Sequence, residues 1–138
     1  MSPDGIRAAA YHETAHGVVA RALGLRVERL WIDGENEGGA GIETNQTHLC
    51  LVDRVAIWAA PIEAKSIFKF EMPRNAEGDD SREIFKLTRE RSDLRDKGYA
   101  RARELLLAHE KVVNCIASHL IIHREIDQDM IDRVMRSS

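Results

Sequence analysis

The sequence predicts a mainly α-helical fold with a small β-sheet or hairpin after the first helix, on three observations. Apolar residues recur at helical spacing through most of the 138 residues. Start and stop signals bracket the first of these runs. Strand formers and a glycine-rich segment follow directly after it.

Ser2 is placed to cap the first helix, and Pro3 takes its first position, where a missing N–H costs nothing. Ile6, Ala9, Ala10, Val18, Val19, Ala22 and Leu23 supply the apolar stripe, and Gly24 supplies the stop. Residues 27–32 alternate loosely and are rich in strand formers, and Asp33-Gly34 signals a turn. Residues 38–44 read equally as a second, glycine-loosened strand or as a flexible loop; a strand there would offer its edge to an extended peptide. Thr47 is the expected cap of a helix carrying Leu51, Val52, Val55, Ala56, Ala59 and Ile62, which Pro61 kinks or divides and Phe68 and Phe70 close.

Past an irregular stretch at 72–78, Asp79-Asp80-Ser81 opens a charged helix carrying Ile84, Leu87, Arg91 and Leu94 and ended by Lys97-Gly98. From Ala100 the strongest period begins: Ala102, Leu105, Leu106, Val112, Val113, Ile116, Ala117, Leu120 and Ile121 predict one long core helix. Asp127 caps a short last helix with Met130, Ile131, Val134 and Met135 inside. No repeat or linker interrupts the chain, so residues 1–138 read as one domain, long enough to bury a core.

Charged residues at 31% and hydrophobic ones at 43% are ordinary for a soluble globular chain, and a net charge of −3 gives no reason to expect nucleic acid or anionic lipid as partner. Cys50 and Cys115 form no C-x-x-C and sit in apolar runs; they read as reduced core residues of a cytoplasmic protein. No apolar run approaches the roughly 18 residues of a membrane span, and no signal peptide is visible.

The chemistry concentrates in His12-Glu13-Thr14-Ala15-His16, which fits H-E-x-x-H. On a helix, a four-residue step returns a side chain to within about 40° of its start, one turn higher. Two imidazoles so placed can both reach a zinc ion, with Glu13 beside them to take a proton from activated water. Catalytic zinc usually takes a third protein ligand. A third histidine six residues after His16 is absent, because Ala22 stands there. The candidates by composition are Glu35, Glu37, Glu43, Asp53, Asp79 and Asp80, and spacing alone does not choose. Asp80 with Glu83 also fits a capping box.

Ala10-Tyr11-His12-Glu13-Thr14-Ala15-His16 resembles the A-x-H-E-A-G-H segment of the peptidase domain of FtsH-like ATP-dependent zinc metalloproteases. A strand and a glycine-rich segment follow in the same order. Residues 59–64 are similar to that family's A-G-x-A-A-E helix, and Gly78-Asp79-Asp80-Ser81 to its G-x-S-N-D-L segment. Residues 102–127 are similar to its closing helices. The likeness spans nearly the whole chain, but the first motif alone is specific. It implies a zincin-type helical peptidase domain that binds Zn2+ through His12, His16 and Asp80 (Asp79 as second choice), with Glu13 as general base. Ala15 and Ala60-Pro61 replace family glycines, and Ser81 stands where a leucine is expected. The chain encodes no ATPase module or membrane anchor, so ATP-driven unfolding is not expected of it, and a ring assembly like the family's is open.

The reading is a zinc metallopeptidase acting on protein or peptide substrates, cytoplasmic, and a candidate homo-oligomer. The alternatives are a catalytically silent metal-binding module for oligomerisation or partner binding, and a helical interaction domain with an accidental motif. His119 and His123 are also four apart but lack the H-E start; His119 is expected near the core edge and His123 near solvent. His48 and His109 have no partner pattern and are expected to face solvent or cap local backbone.

Overall fold

In the computed structural model of the chain, which describes residues 2–35, 37–73 and 77–137, α1 (Pro3–Ala22) runs through the centre. Its residues are buried almost all round, from Gly5 to Ala20, as a helix must be when other elements surround it. Alanines at 8, 9, 10, 15 and 20 let α2 (Leu51–Phe68), α5 (Glu110–His123) and the sheet come close. Ser2 caps the helix as expected, its Oγ accepting from the Gly5 N–H at 3.1 Å.

The strand expected at 27–32 extends to Gly34 as β1 (Val27–Gly34). The glycine-rich segment is also a strand, β2 (Glu37–Ile42), antiparallel to β1 with Leu30 opposite Ala40. A third strand, β3 (Glu125–Asp127), pairs with the other side of β1, giving the order β2-β1-β3 and leaving β2 at an edge. Leu30 and Ile32 face the core, with Ile126 beside them.

Five expectations for the helices need correction. Thr47 does not cap α2, which starts from Cys50; the Thr47 hydroxyl donates to Asn45 instead. Pro61 does not divide α2, which continues to Phe68 because Ala56, Ile57, Ala59, Ala60 and Ala64 bury its face against its neighbours. The charged helix expected over 79–97 is two helices, α3 (Gly78–Thr88) and the start of α4 (Ser92–Ala108), broken where Arg89 takes φ +46. Gly98 is no terminator, since it lies inside α4 where a Cβ would come within 2.2 Å of a Val55 methyl. The long helix expected from Ala100 to Ile121 breaks at His109, and α4 and α5 meet at 80°. Of the irregular stretch at 72–78, residues 74–76 lie outside the described residues.

α6 (Gln128–Arg136) begins at Asp127, whose carboxylate accepts from the Met130 N–H at 2.9 Å. Cys50 and Cys115 are both free and exposed rather than in the core: Cys50 stands ahead of the first turn of α2, and Cys115 lies on the solvent side of α5. Among the described residues no single helix is long and apolar enough to cross a membrane.

Candidate metal centre

His12 and His16 lie one turn apart on the buried side of α1, with ring centroids 5.2 Å apart and planes at 74°. Facing them is Asp80, 6% exposed, on the first turn of α3. Its two oxygens divide between the rings: Oδ2 lies 3.3 Å from His12 Nε2, and Oδ1 lies 3.3 Å from His16 Nε2. A charge-assisted N–H···O bond would be shorter, about 2.7–2.9 Å. Ligand atoms about 2.0–2.2 Å from one ion at a tetrahedral angle would sit roughly 3.3–3.6 Å apart. The spacing fits groups that could share an ion.

Two further observations fit a cation. Asp80 Oδ2 is buried without a hydrogen-bond donor, an arrangement that costs about 1–3 kcal/mol or more unless something positive satisfies it. The His16 ring is also in the tautomer a metal requires. Its Nδ1 lies 2.9 Å from the Ile57 carbonyl oxygen, which can only accept, so Nδ1 carries a proton and Nε2, once the ring is neutral, is the nitrogen that presents a lone pair. The Ile57 carbonyl has that capacity because the residue four further along α2 is Pro61, which has no N–H to give it.

His12, Glu13 and His16 each bring a ligand atom within 4.8 Å of the others, and together these buried groups could hold a metal ion. The two carboxylates are electrostatically unlike. Burial pushes the Glu13 carboxyl above its usual range, opposed by His16 and His12 and assisted by the negative charge of Asp80. Burial acts upward on Asp80 too, but the His12 and His16 imidazoles outweigh it and hold that carboxyl at about 2. Burial pulls the His16 imidazole down, and the Asp80 contact more than reverses this, leaving it raised. Asp80 thus stays ionised at neutral pH, whereas Glu13 is shifted toward its neutral form.

The other acidic candidates stand elsewhere. Asp79 is exposed and paired with Arg82 at 2.9 Å, Asp53 meets Arg101 at 3.3 Å, and Glu43 accepts from the Arg26 N–H at 2.9 Å. Glu35 accepts from the Ser2 N–H, and Glu37 is exposed. Asp80 is not the capping residue of α3, whose N-cap is Glu77. It turns inward because it lies one turn ahead of Ile84 and two ahead of Thr88, the buried stripe of that helix.

A cavity of about 300 Å³ opens beside the centre, with Glu13 and His16 at one end, Ile42, Ile57 and Trp58 as apolar walls, and Thr44 and Gln46 as polar ones. Trp58 meets the His16 ring edge-on, with centroids 6.0 Å apart. β2 borders it so closely that a Cβ on Gly38 would lie 3.1 Å from Glu13 Cγ. A larger cavity, about 820 Å³, opens by Ser2 and Lys69 and includes none of the residues of the centre. Ile57, Trp58 and Pro61 were not singled out from sequence as site residues. The available signal was a proline within a helical pattern, which frees the carbonyl four residues earlier.

Compared with known proteins, the chain matches no family model and no curated sequence.

Proposed function

We propose that the chain is a zinc-dependent metalloendopeptidase domain, related to the FtsH-like peptidases its first motif resembles. The observation that supports this best is the pair of unlike carboxylates at one centre: Asp80, held ionised against two histidines, and Glu13, raised by burial beside them.

His12, His16 and Asp80 would hold the ion. Zinc bound there supplies a Lewis acid that polarises a carbonyl and brings the pKa of water down toward about 7. Glu13 accepts the proton of the attacking water as the new C–O bond forms. It then delivers that proton to the nitrogen as the peptide C–N bond breaks, a role typically contributing about 10²–10⁴-fold. The free edge of β2 supplies backbone N–H and C=O groups to which an extended peptide can add as a further strand. The cavity bounded by Ile42, Ile57 and Trp58 suits an apolar side chain next to the scissile bond.

The test is hydrolysis of an unfolded protein by the zinc-loaded chain and by its Glu13→Gln variant. The expected result is cleavage that a chelator abolishes and that Glu13→Gln reduces by about 10²–10⁴-fold while keeping its zinc. Zinc uptake without cleavage would favour a silent metal-binding module. Equal cleavage by both proteins would remove Glu13 from the chemistry.

A further inference from the structure

His119 and His123 repeat, on the outside of the molecule, the spacing that builds the central site. Their rings face each other with centroids 4.4 Å apart and planes tilted by 40°. His123 is exposed and His119 half-buried, so solvent reaches the pair and can complete a coordination shell. The helix beneath is fixed by Val113, Ile116, Ala117 and Leu120 in the core, so the rings are already side by side before any ion arrives.

We propose that His119 and His123 form a second metal site on the surface of α5, a two-imidazole chelate for a divalent transition ion. Two imidazoles on one ion at about 2.0–2.1 Å hold their ring centres roughly 4.4 Å apart at a right angle and roughly 5.2 Å apart at a tetrahedral one. His12 and His16, at 5.2 Å, match the tetrahedral value, and His119 and His123, at 4.4 Å, match the right angle. Right-angled nitrogen coordination belongs to Ni2+ and Cu2+, and both stand high in the affinity order for such ligands. The two sites therefore differ in ion preference: a buried one with a carboxylate for zinc, and an open one, with no Asp or Glu grouped with it among the described residues, for Ni2+ or Cu2+. His123 is the last residue of α5, directly before Arg124 at φ +70, so an ion there also fastens the final helical turn.

The experiment is calorimetric titration of the full chain with Ni2+, after loading one equivalent of zinc and with Cys50→Ser and Cys115→Ser in place to remove both exposed thiols as competing ligands. One Ni2+ per chain is expected, with affinity weakened at least about tenfold in both His123→Ala and His119→Gln. In His16→Ala, loaded with Ni2+ alone, the surface site should persist. Unchanged Ni2+ affinity in His123→Ala, with its helical circular dichroism intact, overturns the proposal. So does the absence of Ni2+ uptake by the parent chain, or its loss in His16→Ala.

Discussion

His16 donates its Nδ1–H to the carbonyl of Ile57 at 2.9 Å, and this bond joins the central helix to α2 at the level of the candidate metal centre. The acceptor comes from a gap in the α2 ladder, since Pro61 offers no N–H to that carbonyl. A proline that costs the helix up to about 3 kcal/mol relative to alanine thus orients a candidate ligand.

Replacing Pro61 with alanine should move two properties in opposite directions. The helix regains a hydrogen bond, so the metal-free protein should unfold at a higher temperature. The Ile57 carbonyl then has a competing donor, and zinc affinity should fall by about 10–100-fold, as for other partners that orient a ligand. Thermal unfolding and a zinc competition titration check the two halves. Loss of both together would mean that Pro61 matters only for folding.

Neighbouring aspartates should behave differently. Asp80→Asn removes the charge facing both rings and should weaken zinc binding by more than the roughly 10–100-fold of an outer partner. Asp79→Asn, at an exposed position paired with Arg82, should leave zinc binding unchanged. The same competition titration reads both.

The metal-free centre should mark the stability of the fold against pH. Asp80 is depressed from 3.8 to about 2, so its contribution is complete above 3.8 and disappears as pH falls through the folded value. The shift corresponds to about 2 kcal/mol. His16 is raised from 6.5, so its contribution is complete below 6.5 and disappears as pH rises through its folded value. Urea unfolding of chelator-treated protein across pH should show the acid limb, and Asp80→Asn should flatten it.

Trp58 should set which side chains the cavity admits. Trp58→Ala opens one wall beside His16 and should shift cleavage from aliphatic toward aromatic residues at the varied position, by about 10–200-fold in relative kcat/KM. A peptide series varied next to the scissile bond measures this.

The central helix could be read from the sequence because its signals are local: Ser2 and Pro3 at the start, an alanine-rich apolar run, and Gly24 after the end. Asp80 came only from the family resemblance, because spacing did not choose among the acidic candidates; its register with Ile84 on the inner face of α3, which Asp79 lacks, becomes readable once the helix is in place. The break at His109 left no trace, because Leu105 and Leu106 stand seven residues before Val112 and Val113, and the period runs on as if the helix were continuous. β3 was hidden as well. Three residues with Ile126 alone buried become a strand only by pairing with β1, a partner almost one hundred residues away. Both misses are tertiary effects that local pattern does not encode.

Whether one ion sits between α1 and α3 is decided by anomalous diffraction at the zinc edge from crystals grown with zinc. The expected result is a peak within coordinating distance of His12 Nε2, His16 Nε2 and an Asp80 oxygen, with Glu13 beside it and not bonded to it. A peak ligated without Asp80, or no peak between these side chains at full zinc occupancy elsewhere, would contradict it.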